Sequence, residues 1–159
     1  MKLSRALVYK KRLVGWLNSL WTAIREGNSC SDFTPREIDI RRVMEEIERY
    51  TNHLLDLKIA IQTANIPVMR SIQQLSELKT HLNQYRSLDT FQGQKELSPR
   101  FGEATIAKFT TVVTKAEATK IADRLQQTLD RLQSELEAFN ATTEIDVEEW
   151  NTPNIFLEK

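Results

Sequence analysis

The chain has 159 residues, 40% of them hydrophobic, enough for one domain with a core of its own. Lysine plus arginine and aspartate plus glutamate each total 22, so no global field recruits nucleic acid or an anionic membrane, and any such partner needs a local patch. The one cysteine, Cys30, excludes an internal disulfide framework and fits a reducing compartment, so the expected location is the cytoplasm.

The first predicted helix carries Leu3, Leu7, Val14, Leu17, Trp21 and Ile24 at alternating steps of four and three, with Lys10 at the missing step. Leu13, Trp16 and Leu20 widen that stripe, and Gly27-Asn28-Ser29 supplies a stop. Lys10, Lys11 and Arg12 interrupt the apolar residues before the continuous core of a signal peptide can form, and no run reaches membrane-spanning length. With Lys2 and Arg5 they make a basic patch able to contact phosphates, with Trp16 available to stack on a base. Trp16 borders the apolar stripe, however, and is expected in the core.

A second helix is expected to start at Thr34, which can cap, with Pro35 at the first helical position and Glu37 completing a capping box. Its series Ile40, Val43, Ile47, Tyr50, Leu54, Leu57, Ile61 and Ala64 keeps the three-four step until Asn65 and Pro67 interrupt it. Glu45, Glu46 and Glu48 lie among Arg41, Arg42 and Arg49 at helix-neighbour spacing, which reads as an ion-paired solvent face rather than a metal site. A third helix, from about Arg70 to Phe91, carries Ile72, Leu75, Leu78, Leu82, Tyr85 and Leu88 and ends near Gly93.

The stretch from Gly93 to Gly102 reads as a connection. The β-branched and aromatic residues of Thr105 to Val113 then favour a short strand. Thr114 and Glu117 form a second capping box for a fourth helix along Ala118, Ala122, Leu125, Leu129, Leu132, Leu136 and Phe139. The alternating, β-branched run Thr142 to Val147 is expected to pair with the earlier strand. The expected fold is therefore mainly α: four long amphipathic helices with heptad-like, coiled-coil packing, and a small two-stranded β ribbon, as one domain over residues 1–147. Residues 148–159 form an acidic, aromatic tail. Its Trp150, Ile155, Phe156 and Leu157 are costly to leave in water and are candidate contacts with this chain, a second copy or another protein.

The ends carry opposite charge and are expected to attract, within a chain or between chains. Met1 to Pro35 has six basic residues against two acidic ones, and the chain from Ala138 onward has five acids against Lys159.

The opening Met1-Lys2-Leu3-Ser4-Arg5-Ala6-Leu7 resembles the start of the septicolysin-like family of small helical bacterial proteins. Ile61-Gln62-Thr63-Ala64-Asn65, Ile106-Ala107-Lys108, Thr111-Val112, Ala122-Asp123-Arg124-Leu125 and Asn140-Ala141-Thr142-Thr143-Glu144-Ile145 are similar to the family's motifs in order and spacing. Ala141 departs by standing where the family usually has tryptophan. The resemblance implies a helical fold and self-association, with no substrate or cofactor to carry over. Its name implies a membrane-active cytolysin, but no long alternating segment for a membrane hairpin is present. Asn65, Asn140, Thr142, Thr143 and Glu144, the family-matching polar residues, are expected to serve structure: the side chains of the last four can cap the helix end and register the following strand.

Chemistry is sparse. His53 and His81 lack a second ligand at metal spacing, and no phosphate loop or nucleophile elbow occurs among the four glycines. Neither metal, cofactor nor enzymatic activity is expected. The expectation is a non-enzymatic, self-associating helical scaffold within a larger assembly. A nucleic-acid-binding module using the basic first helix is the alternative.

Overall fold

The structure is a computed structural model, and residues 1–29, 31, 38–97 and 105–153 are described. The fold is mainly α with a small β ribbon. Four helices, α1 (Leu3–Gly27), α2 (Ile40–Ala64), α3 (Met69–Arg86) and α4 (Lys115–Thr142), accompany two strands, β1 (Gly93–Leu97) and β2 (Thr105–Phe109). The chain divides into two compact units, one built from Met1–Val68 and the stretch from Glu137 onward, the other from Met69–Leu136.

In the first unit, α1 and α2 form an antiparallel hairpin, since Tyr9 meets His53 while Trp16 meets Tyr50. The α2 seam is the one its spacing predicts: Val43, Ile47, Tyr50, Leu54, Leu57 and Ile61 are buried, with Ile40 and Ala64 packed at its ends. The α1 seam is rotated from the expected stripe. Leu3, Ala6, Tyr9, Leu13, Leu17 and Leu20 face α2, whereas Val14 and Trp21 are exposed. Both faces of α1 carry apolar residues, and the tyrosine that pairs with His53 selects the buried one. Trp16 is half-buried against this core, as expected. A Cβ at Gly27 would meet the side chains of Ile38 and Ile40 at 3.3 and 3.4 Å, so the end of α1 passes close to the start of α2.

The expected start of the second helix is corrected. α2 begins at Ile40, capped by Asp39, whose carboxylate accepts from the backbone N–H groups of Arg41 and Arg42 at 3.0 and 3.2 Å. Thr34, Pro35 and Glu37 lie outside the described residues. Asn65 ends α2, its N–H donating to the Ile61 and Gln62 carbonyls, and Pro67 sits in the 3₁₀ turn Ile66–Val68.

In the second unit, α3 stops at Arg86 rather than near Phe91, and of its stripe only Leu82 is fully buried. Leu82 packs with Ala122, Leu129 and Leu125 of α4. The capping box at the start of α4 is present: Glu117 N–H donates to Thr114 Oγ1 at 3.2 Å, and Thr114 N–H donates to the Glu117 carboxylate at 2.9 Å. Donation from the Thr114 N–H first, and then from its hydroxyl, holds the Glu117 carboxyl below its usual pKa.

The ribbon exists, but with a different partner from the expected one. β1 pairs antiparallel with β2, Gly93 opposite Phe109 and Leu97 opposite Thr105, so Gly93–Leu97 is a strand rather than a connection. β1 begins at Gly93 with φ +141°, a conformation that side-chain-bearing residues rarely adopt. β2 ends at Phe109, before Val112 and Val113. Thr142 closes α4, and the residues after it run to α1 instead of to β2.

Candidate functional site

The densest convergence of polar and aromatic side chains lies in the first unit, where the chain after α4 crosses the α1–α2 hairpin. Helix α1 has no side-chain cap at its start, which leaves backbone N–H groups to be satisfied from elsewhere. The C-terminal segment satisfies one directly: Leu3 N–H donates to the Thr143 carbonyl at 2.8 Å. Ile145 N–H donates to the Met1 carbonyl at 2.9 Å, and the terminal ammonium of Met1 donates to the Ile145 carbonyl at 2.7 Å. Lys2 and Glu144 are thereby bridge partners, and Ile145 is buried with the core. Thr143 acts here through its backbone carbonyl and no strand follows it among the described residues, Glu144 pairs with Lys2, and Thr142 Oγ1 donates to the Ala138 carbonyl at 2.9 Å.

Charge adds to this backbone pairing. Lys2 pairs with Glu144 at 2.8 Å, Arg5 pairs with Glu149 at 2.7 Å, and Arg12 pairs with the other oxygen of Glu149. Hydrogen bonding from Arg5 first, and then from Arg12, draws the Glu149 pKa below the usual carboxylate value, and Lys2 does the same for Glu144. The opposite charges of the two chain ends therefore meet within this chain. Three of the five residues of the basic patch are engaged in this way. Lys10 and Lys11 have no ion pair among the described residues.

Trp150 completes the site. Its indole stacks on the His53 ring with centroids 3.9 Å apart and planes 5° from parallel, and meets Tyr50 edge-on at 5.4 Å. The Arg49 guanidinium lies 5.1 Å from the indole centroid and 5.3 Å from that of Tyr50, within reach of a cation–π contact. Trp150 N–H donates to Tyr9 Oη at 3.0 Å, and Tyr50 Oη donates to the Asn151 carbonyl. Tyr9 Oη lies 2.9 Å from His53 Nε2. Because Tyr9 already accepts from Trp150, its own proton is free to go to a neutral His53.

Burial lowers the His53 pKa, opposed by the Asp56 charge and by a hydrogen bond to the Glu148 backbone. Burial likewise raises the pKa of Tyr9 and of Tyr50. The cluster is thus uncharged at its centre and ringed by Arg5, Arg12 and Arg49. It is a clasp in its chemistry: hydrogen bonds, stacking and ion pairs hold a peptide segment.

Of the candidate contact residues, Trp150 is placed here, half-buried within its own unit. Ile155, Phe156 and Leu157 lie outside the described residues. Asn65 caps the end of α2, and Asn140 lies half-buried in the last turns of α4. His81 is exposed on α3. Among the described residues no three His, Cys, Asp or Glu side chains gather as a metal would require. Within the second unit a pocket of about 230 Å³, lined in part by Arg86, Lys115 and Asp123, contains neither histidine nor cysteine.

Tyr9, Tyr50, His53, Arg49 and Glu149 were not singled out as a site by their sequence. The available signal was that Tyr9 and His53 occupy core-facing steps of otherwise aliphatic seams, where a polar ring needs a partner. No family model, curated protein or solved structure matches this chain. Its functional reading therefore draws on its own geometry and on the motif resemblance described above.

Proposed function

We propose that this protein is a non-enzymatic helical interaction protein that associates with further copies of itself and works as part of a larger assembly. The observation that carries this reading is the uncovered apolar surface of the second unit. Leu88, Phe91, Leu97, Ile106, Phe109 and Val112 are all exposed there, with Ile106 69% and Val112 99% accessible. A two-stranded ribbon is marginal alone, and an amphipathic helix draws its stability from what covers its stripe. In α3 the stripe residues Ile72, Leu75 and Leu78 are only half-buried, while Tyr85 is exposed.

The resemblance to the septicolysin-like proteins points the same way, since it implies self-association. Among the described residues no helix is long and apolar enough to cross a membrane. The nucleic-acid alternative has less to draw on, because Lys2, Arg5 and Arg12 already hold carboxylates. Cys30, without a second cysteine, fits a cytoplasmic setting within this reading.

The test is the mass of the full chain beside that of an Ile106→Ser/Val112→Ser double variant. The wild type is expected to exceed its 18.5 kDa chain mass at roughly tens of micromolar. The double variant is expected to shift toward the monomer, with an unchanged urea midpoint at dilutions where both chains are monomeric, because both side chains are exposed within one chain. A monomeric wild type overturns the reading.

A further inference from the structure

The first unit is assembled from two pieces of chain that no covalent connection joins within the unit. Residues 1–68 supply the α1–α2 groove, the stretch from Glu137 supplies the clasp, and the whole of the second unit lies between them in sequence. The described clasp bonds run between these pieces: Leu3 to Thr143, Arg5 to Glu149, Tyr9 to Trp150 and Tyr50 to Asn151. These contacts depend on side-chain chemistry and chain direction, and a second copy supplies both identically. The groove is basic and aromatic, and the segment it holds carries Glu144, Glu149 and Trp150, so groove and segment are complementary in charge.

We propose that the groove is an intermolecular docking site whose occupant is the C-terminal segment of a second copy, with Thr143 to Asn151 acting as an exchangeable arm. The site that clasps the arm within one chain then forms between two chains, each contributing its groove to the other's Trp150 and Glu149. Exchange of an identical element conserves the contacts between groove and arm, so association adds interface without first having to create complementarity. This proposal rests on the self-association reading and names a surface through which it occurs.

The bridge between Lys2 and Glu144 provides the test, because both residues are exposed and lie opposite each other. Three full-length variants are made on a Cys30→Ser background: Lys2→Cys, Glu144→Cys, and both together in one chain. The two single variants are mixed in denaturant, refolded together at roughly tens of micromolar, oxidised, and separated without reductant. The expected result is a covalent heterodimer whose yield rises with concentration and exceeds the homodimer that either single variant forms alone. The double variant is expected to form both internal and intermolecular bonds.

If the double variant closes only internally and the mixture gives no excess heterodimer, the arm does not exchange and the proposal is overturned. Failure of the double variant to close in either way also overturns it, since the clasp itself would then be absent. Light scattering on the same preparations separates this failure from that of the broader reading. An oligomeric mass without heterodimer removes the exchange alone, whereas a monomeric mass removes both.

Discussion

His53 is uncharged in the fold because it is buried between the Tyr9 hydroxyl and the Trp150 indole, and this gives the protein a dependence on pH. Its folded pKa is lowered, whereas an unfolded histidine titrates near about 6.5. The unfolded chain therefore takes up the proton first on acidification. The stability that neutral His53 contributes is fully present above about 6.5 and is lost as pH falls below that value toward the depressed folded pKa. Urea melts between about pH 8 and pH 5 are expected to show the midpoint falling below about 6.5. A His53→Gln chain is expected to lose that part of the slope. The Glu144 and Glu149 carboxylates, whose pKa values are also lowered, add a separate loss at more acid pH, below the ordinary value of 4.5. Trp150 supplies the second test at this scale. Trp150→Ala removes the stacking on His53 and the edge contact with Tyr50, and for a half-buried indole the expected cost is about 2 kcal/mol in the same melts. An unchanged midpoint would mean that the tail does not pack on its own unit.

Helix α2 depends on Asp39 for its start. Asp39→Ala is expected to cost about 1 kcal/mol in a urea melt with an unchanged slope. An unaffected midpoint would mean that the Asp39 side chain does not stabilise the start of the helix. The elements differ in how far their sequences determined them. The α2 stripe is legible because its apolar residues keep one unbroken three-four step, and Met44, Leu55 and Ile59, which fall off that step, are exposed. α1 has apolar residues on two faces, and spacing alone does not say which meets a partner; Val14 and Trp21 continue a heptad step yet remain exposed. The ribbon shows the opposite error. Gly93-Gln94-Lys95-Glu96-Leu97 has weak β propensity, and Thr142 to Val147 has more of it. Proximity in sequence outweighs that propensity, because a hairpin between neighbouring segments closes a shorter loop. The capping box at Thr114 and Glu117 was legible because all its partners lie within one turn.

Across the whole molecule, the complementary charges of the two chain ends were visible in the sequence, but their meeting point was not. Arg5 and Arg12 converge on Glu149 only after α1, α2 and the end of α4 have packed into one unit. His53 has no signature beyond its place on a seam, since its partners Tyr9 and Trp150 come from distant parts of the chain. The same scale holds the central claim. The first unit fills its core with side chains from three helices and the clasp but leaves Val8, Met44, Leu55, Ile59 and Ile66 exposed, and the second leaves Leu88, Phe91, Leu97, Ile106, Phe109 and Val112 exposed. The most direct measurement is multi-angle light scattering of the full chain across a concentration series. The account predicts a mass of two or more 18.5 kDa copies at roughly tens of micromolar, falling toward one copy on dilution. A mass of one copy at every concentration would contradict it.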